Sequence, residues 1–436
     1  MRSDKNLKSY TMIALMSLTF AGLTAQTSYG WRGLHRDGIY PETGLLKTWP
    51  AEGPTLLWET LDVGKGYSSP TVVDEKIYIT GMNEDETKEI FSAYTLDGKR
   101  IYSVEYSTPW DDSYPETRTT PTITGNRAYL ISGSGEIVCI NIADGSMVWK
   151  VNGGRIFARK TGNWGTSECP LVFDNKVIYT PAGDQTTMVA LNAQTGETVW
   201  KSETLRDEGA YVSPILVTWN GKRQIIGSTG ISVIGVNPET GHIEWSFRDW
   251  DKPSRPPRPG QPASNRAAAP ESKIAPNTPI FKDGRVFFSQ GYDVGGYMLQ
   301  LNEAMTAATL LWKTEDLDTH HGHQVLLNGI LYGSNWINNN QGNWLAVDWN
   351  TGKTLYNTAW SGGKGKGSII AADGMLYCYD ERRGAVGLVK ANPARFDIVS
   401  EFRITKGEGP YWAHPVIDNG VLYLRHGNFL GAYKIK

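Results

Sequence analysis

Short runs in which apolar and polar residues alternate recur along the chain, each broken by a turn signal after three or four apolar-rich positions. The unit is a Pro or its stand-in, three apolar-rich residues, an Asp/Asn/Gly turn, and an alternating run rich in Tyr or Phe. It reads SPTVVDEKIYITG at 69–81, TPTITGNRAYLIS at 120–132, TPIFKDGRVFFSQ at 278–290, HQVLLNGILYGSN at 323–335, SIIAADGMLYCYD at 368–380 and HPVIDNGVLYLRH at 414–426. Two looser copies begin at Cys169 and Ser213. A period of two bounded by turn residues predicts half-buried strands rather than helices. The Pro-equivalent positions are 70, 121, 170, 214, 279, 324, 369 and 415, and they step by 44 to 51 residues except for one 65-residue step that holds an insertion.

A second pattern follows the first: CINIADGSMVW at 139–149, ALNAQTGETVW at 190–200, GVNPETGHIEW at 235–245 and AVDWNTGKTLY at 346–356. Its TG or DG dipeptide is a hairpin turn, because Gly takes positive φ at little cost. Each repeat therefore predicts four strands, and four strands in about 45 residues is the size of a propeller blade. The eighth copy holds only three strands. PTLLWET at 54–60 is expected to supply the fourth, with Trp58 standing where Trp149, Trp200, Trp245 and Trp312 stand in other copies. The predicted fold is all-β: one eight-bladed β-propeller over 54–436, its ring closed by an N-terminal strand so that no edge is left open.

Outside the repeats, residues 1–25 read as a secretory signal peptide. Arg2, Lys5 and Lys8 precede a short apolar run, TMIALMSLTFAGL at 11–23, with small residues for cleavage after Ala25. No cysteine follows that run before Cys139, so a lipid-anchor cysteine is not expected. The expected location is periplasmic or secreted, with no transmembrane segment after cleavage. Residues 26–53 form a leader. Residues 249–273, with six prolines, are expected to be an extended loop insertion that packs no core. The formal charge of −2 gives no reason to expect nucleic acid as a partner. Three scattered cysteines (Cys139, Cys169, Cys378) suit buried apolar positions rather than a disulfide framework.

The A-x-N-x-x-T-G-x-x-x-W motif of residues 190–200 resembles the tryptophan-docking motif of pyrroloquinoline-quinone (PQQ)-like propeller repeats. WRGLHRDGIYPETGLLKTWP at 31–50 is similar to the leader of secreted bacterial members of that family. The resemblance covers residues 31–436. It implies the propeller, with the motif docking blade on blade, and a family that holds quinoprotein dehydrogenases and an outer-membrane assembly lipoprotein. The dehydrogenases stack PQQ on a Trp, hold Ca²⁺ with Glu, Asn and Asp, and commonly carry a disulfide between adjacent cysteines. This chain has no adjacent cysteines.

Equal positions in a repeat lie at equal height around the channel, so the residues before each innermost strand are the candidates for a site. Three places before the Pro-equivalent stand Tyr67, Arg118, Ser167, Tyr211, Pro276, His321, Lys366 and Trp412. One place before it stand Ser69, Thr120, Cys169, Ser213, Thr278, His323, Ser368 and His414. Three of the seven histidines, His320, His321 and His323, fall within four positions here. The loops between second and third strands add Trp336, Trp344, Tyr379, Glu381, Arg382, Arg425 and His426. The expected ligand site is Arg118, Trp164, His320, His321, His323, Trp336, Lys366, Glu381, Trp412, His414 and His426, taking a polar ligand such as a sugar or an acid. No metal is expected, since no carboxylate adjoins the histidines in sequence and the nearest are Asp318 and Asp316.

Three functions fit these residues. The first is a ligand-binding or scaffold protein, a monomer, whose partner is a small polar ligand, a glycan, or a protein on the propeller face. The resemblance implies the second, a PQQ- and Ca²⁺-dependent alcohol or sugar dehydrogenase. The third is a carbohydrate lyase with His321 or His323 as base, His414 or Tyr379 as acid, and Arg118, Lys366 or Arg425 holding the carboxylate.

Overall fold

A computed structural model describes residues 27–162, 164–248 and 276–436. The expected signal peptide and the Pro-rich insertion lie outside these residues. The strands form eight antiparallel-based sheets, one per predicted repeat. Their innermost strands are Thr71–Val73, Thr122–Thr124, Leu171–Phe173, Ile215–Trp219, Ile280–Lys282, Gln324–Leu327, Gly367–Ala372 and Val416–Asp418, which number the blades 1 to 8. Among the described residues the one helix is the single turn Gly153–Ile156. Strand Thr55–Thr60 pairs with Phe429–Lys434 and supplies the fourth strand of blade 8, so the ring closes as expected.

The core lies between blades. Tyr78, Phe91 and Ala93 of blade 1 pack on Ile123, Leu130 and Val138 of blade 2. Equivalent clusters join blades 2 and 3, 3 and 4, 4 and 5, 5 and 6, and 6 and 7. A larger cluster joins blade 7 through blade 8 to blade 1. Alternation explains this: a strand inside a blade buries both faces, one against each neighbouring blade.

The turn glycines and outer tryptophans interlock across each seam. Trp149 Nε1 donates to Ala193 O at 3.0 Å, and a Cβ on Gly196 would sit 2.9 Å from the Trp149 ring. Trp200 and Gly241 repeat this, as do Trp312 and Gly352. Trp58 and Gly98 repeat it at the seam between blades 8 and 1, where Trp58 Nε1 donates to Leu96 O at 2.6 Å. These glycines have φ between 72° and 82°, so the position needs Gly both for its backbone and for its missing Cβ. Blade 4 departs from the pattern, since Trp245 Nε1 donates to Gln224 Oε1 of its own blade.

The leader does what the repeats do not predict: it crosses the channel. Ser28–Tyr29 pairs antiparallel with the innermost strand of blade 2, and Ile39–Tyr40 pairs parallel with that of blade 7. Between them Arg32 donates to Gln324 O at 2.6 Å and to Ile369 O at 3.0 Å, on blades 6 and 7. Arg36 donates to Cys169 O at 3.0 Å, to Pro170 O, and to Pro214 O at 3.1 Å, on blades 3 and 4. Both arginines have positive φ, 60° and 57°, a conformation that persists only where the surroundings over-determine it. The leader then runs beneath blade 7, where Trp49 packs on Tyr377 and Phe402, before entering blade 8.

Candidate functional site

Because the leader spans the channel, the funnel is a cup with a floor. Its cavity is about 490 Å³, with Trp31 of the leader among its lining residues. Trp31 meets the edges of His323 and His414 at ring-centroid distances of 4.6 and 5.5 Å. Of the eight residues three places before the Pro-equivalents, all but Lys366 line the cup. Cys169, Ser213, His323 and His414 from the second set line it too.

One wall is aromatic. Trp412 stands 4.9 Å from Tyr67, 5.0 Å from Tyr114 and 4.9 Å from His321. Across the cup Trp164 stands 5.9 Å from Tyr211.

The histidines of blade 6 form a bonded set with His414. His323 Nδ1 donates to His321 O at 3.0 Å, and His414 Nε2 donates to the same carbonyl at 3.2 Å. A carbonyl only accepts, so both protons are placed. The lone pairs then fall on His323 Nε2, which has no partner within the protein, and on His414 Nδ1, which accepts from Arg32 Nη1 at 3.1 Å. His320 Nε2 shares a hydrogen bond of 2.8 Å with the Tyr292 hydroxyl. Nδ1 of both His320 and His321 is buried without a hydrogen bond. Burial is the main reason that His320, His323 and His414 lie well below the usual imidazole range. Burial, then the Lys366 ammonium, takes His321 down to about 3. All four rings are therefore uncharged at neutral pH.

Lys366 and Glu381 are a buried ion pair behind this set. Lys366 Nζ contacts Glu381 Oε1 and also donates to Asn339 O at 3.0 Å. Burial raises the Glu381 carboxyl while Lys366 opposes the shift. Glu381 Oε2 faces His321 Nδ1 at 3.9 Å. Arg118 spends Nη2 on the carbonyls of Ser113 and Tyr114, and its buried Nη1 has no partner within the protein.

Several expected residues sit elsewhere. Lys366, 2% exposed, is behind the wall and bound to Glu381. His426 bonds Lys406 O at 2.7 Å and Gly409 O at 2.6 Å and stacks on Tyr411, away from the cup. Trp336 packs on Tyr292 and donates Nε1 to Asn339 Oδ1 at 3.1 Å, just outside the lining. Tyr379 and Arg425 are fully buried. The Tyr379 hydroxyl donates to Arg425 O at 3.2 Å, and the Arg425 guanidinium is used by Gly64 O, Ser68 and Gly427 O. Neither can serve a substrate as acid or clamp, because no part of either reaches the cavity. Trp344 fills the seam of blades 6 and 7, stacked on Phe396 at 5.5 Å. Cys139, Cys169 and Cys378 are free and buried, as expected. Sequence reasoning missed Trp31, Tyr114 and Tyr292. Trp31 begins the leader motif, but nothing local says that a leader will fold back into the channel.

The PQQ and Ca²⁺ pair fits in part. An indole floor and the Arg118 and Arg382 guanidiniums suit a planar polyanion. Ca²⁺ takes oxygen ligands, and Glu381, the one carboxylate in the lining, stands beside Asn339 and Asn340 but is already paired with Lys366. Among the described residues the one cluster with metal-ligand spacing is His320, His321 and Glu381.

A family model described as outer membrane protein assembly factor BamB matches residues 38–152 and 96–358. No curated protein sequence matches the chain. Among solved structures, BamB from Moraxella catarrhalis is similar at 16% identity and a TM-score of 0.58, over 87% of this chain and 99% of that one. Quinohemoprotein alcohol dehydrogenase from Comamonas testosteroni is similar at 12% identity and a TM-score of 0.62, over 92% and 79%. A europium-containing methanol dehydrogenase is similar at 11% identity and a TM-score of 0.62, over 90% and 88%. At these identities the likeness is one of fold.

Proposed function

The chain belongs to the family described as outer membrane protein assembly factor BamB, and from its closed cup we propose that it is a ligand-binding propeller of the cell envelope. The ligand is a small polar molecule with a ring face and a carboxylate, such as an acidic sugar. One observation carries this reading: buried polar atoms of His320, His321, His323 and Arg118, all cup-lining residues, have no partner within the protein. Each such atom costs about 1–3 kcal/mol unless water or a ligand satisfies it. Trp412 and Trp164 supply faces for a ring, and Arg118 Nη1 supplies a charged donor for a carboxylate. The envelope location rests on the family and on the signal-like start of the chain. Among the described residues no helix is long and apolar enough to cross a membrane.

The lyase reading is weaker than the binding reading. A base that takes a proton at neutral pH needs a pKa near 7, and His321 is held at about 3. Its expected partners Tyr379 and Arg425 are sealed in the blade seams.

The test is thermal melting with hexuronates, neutral hexoses and small dicarboxylates. A saturable rise is expected with the acidic compounds, growing with concentration as linkage requires, and lost in Arg118→Ala and Trp412→Ala. A rise with none of the acids, or an equal rise in both variants, would remove the proposal.

A further inference from the structure

We propose that His320, His321 and Glu381 bind one first-row divalent transition-metal ion at the edge of the cup. One donor atom from each residue lies within 4.8 Å of the other two. His321 Nδ1 and Glu381 Oε2 are 3.9 Å apart, and the His320 and His321 ring centroids are 3.5 Å apart. Four-coordinate zinc with nitrogen and oxygen ligands needs donors about 3.4 Å from one another. The site is therefore slightly open, and a small rotation closes it. His321 can make that rotation: its side chain is 34% exposed, on the cavity side.

The surroundings prepare the donors. Nδ1 of His320 and of His321 carries no hydrogen bond within the protein. The Tyr292 hydroxyl hydrogen-bonds His320 Nε2, the kind of outer-shell contact that orients a metal-bound imidazole. Lys366 engages Glu381 Oε1 and leaves Oε2 toward the histidines. The two halves are set by rigid elements, since the histidines precede the innermost strand of blade 6 and Glu381 follows the second strand of blade 7. Two imidazoles and one carboxylate with open positions suit Zn²⁺, Fe²⁺ or Mn²⁺ rather than Ca²⁺. The charges that face the site work against a dication: Lys366 competes for the carboxylate, and Arg382 also lines the cup. Binding is therefore expected in the micromolar range, far from the tightest structural zinc sites.

The proposal shares its cavity with the ligand reading and deepens it, because the open positions of the ion would take a ligand carboxylate. The metal is measured without ligand, so the two can fail separately. Chelator-treated, untagged full chain is titrated with Co²⁺ and followed by visible absorption, then with Zn²⁺ by calorimetry. One equivalent is expected, with His321→Ala and Glu381→Gln each weaker by at least tenfold. The exposed His242→Ala should bind as the parent does. Lys366→Met, which removes the competing ammonium, should bind several-fold tighter. Melting curves without metal establish that each variant is folded. No uptake by the parent, parental affinity in both His321→Ala and Glu381→Gln, or no gain in a folded Lys366→Met would each overturn the proposal.

Discussion

Arg32 Nη1 stands 3.1 Å from His414 Nδ1, and the same guanidinium reaches carbonyls of blades 6 and 7. One leader side chain thus ties three blades together under the cup. It passes where Gly38 has no Cβ: an added Cβ there would meet the guanidinium at 2.3 Å. Arg36 ties blades 3 and 4 from the other end of the same short coil. The floor and the ring closure are therefore built by one N-terminal segment.

Arg32→Met should destabilise the protein by about 3 kcal/mol, because buried acceptors of charged hydrogen bonds lose their donor. The measurement is chemical denaturation. Trp31 should also lose its packing on His323 and His414, so its fluorescence should shift to longer wavelength before global unfolding.

Gly98→Ala should cost about 2 kcal/mol or more. The new Cβ would fall 2.6 Å from the Trp58 ring at a residue whose φ is +82°, so strain and overpacking act together. Since this seam closes the ring, unfolding should speed up more than folding slows. Stopped-flow kinetics on the variant would show it.

Glu168 gives a pH signature. Burial raises its carboxyl from 4.5 to about 8, against the opposing pull of its bonds to Thr180 and of Arg36. Between those values the folded protein holds a proton that the unfolded chain has lost, so stability falls as pH rises from about 4.5 to about 8. Glu168→Gln keeps an acceptor for Thr180 N and removes the titration. Its melting temperature should vary less than that of the parent across this window and exceed it at pH 8.

PQQ offers a direct comparison. If the quinone binds, the cations Arg118 and Arg382 should hold it whether or not Ca²⁺ is present, because the one carboxylate in the lining, Glu381, is already paired with Lys366. Melting with PQQ should be unchanged by adding Ca²⁺. A calcium-dependent rise would place the chain functionally with the dehydrogenases.

Strand periodicity, the TG turns and the recurring Trp were enough for the blade count, the closing strand and the seams. These are local signals, since an alternating run must bury a face and a Gly at positive φ must turn. Repetition carried the reading further. Once SPTVV, TPTIT and HPVID are recognised as equivalents, the residues three places earlier share a height, and all but Lys366 line the cup.

The chain order alone decided the ring, and three-dimensional closure decided the site. Trp31 reaches the cavity because the leader pairs with open edges on blades 2 and 7, nearly opposite one another. Glu381 meets His321 across a blade boundary, 60 positions away in sequence, while the nearer Asp318 points to the amides of Asp293 and Trp336. Whether a polar residue faces the cup or is spent inside a seam, as Arg425 and His426 are, depends on which carbonyls its neighbours leave unbonded. That is a property of the packed ring, and no period in the sequence encodes it.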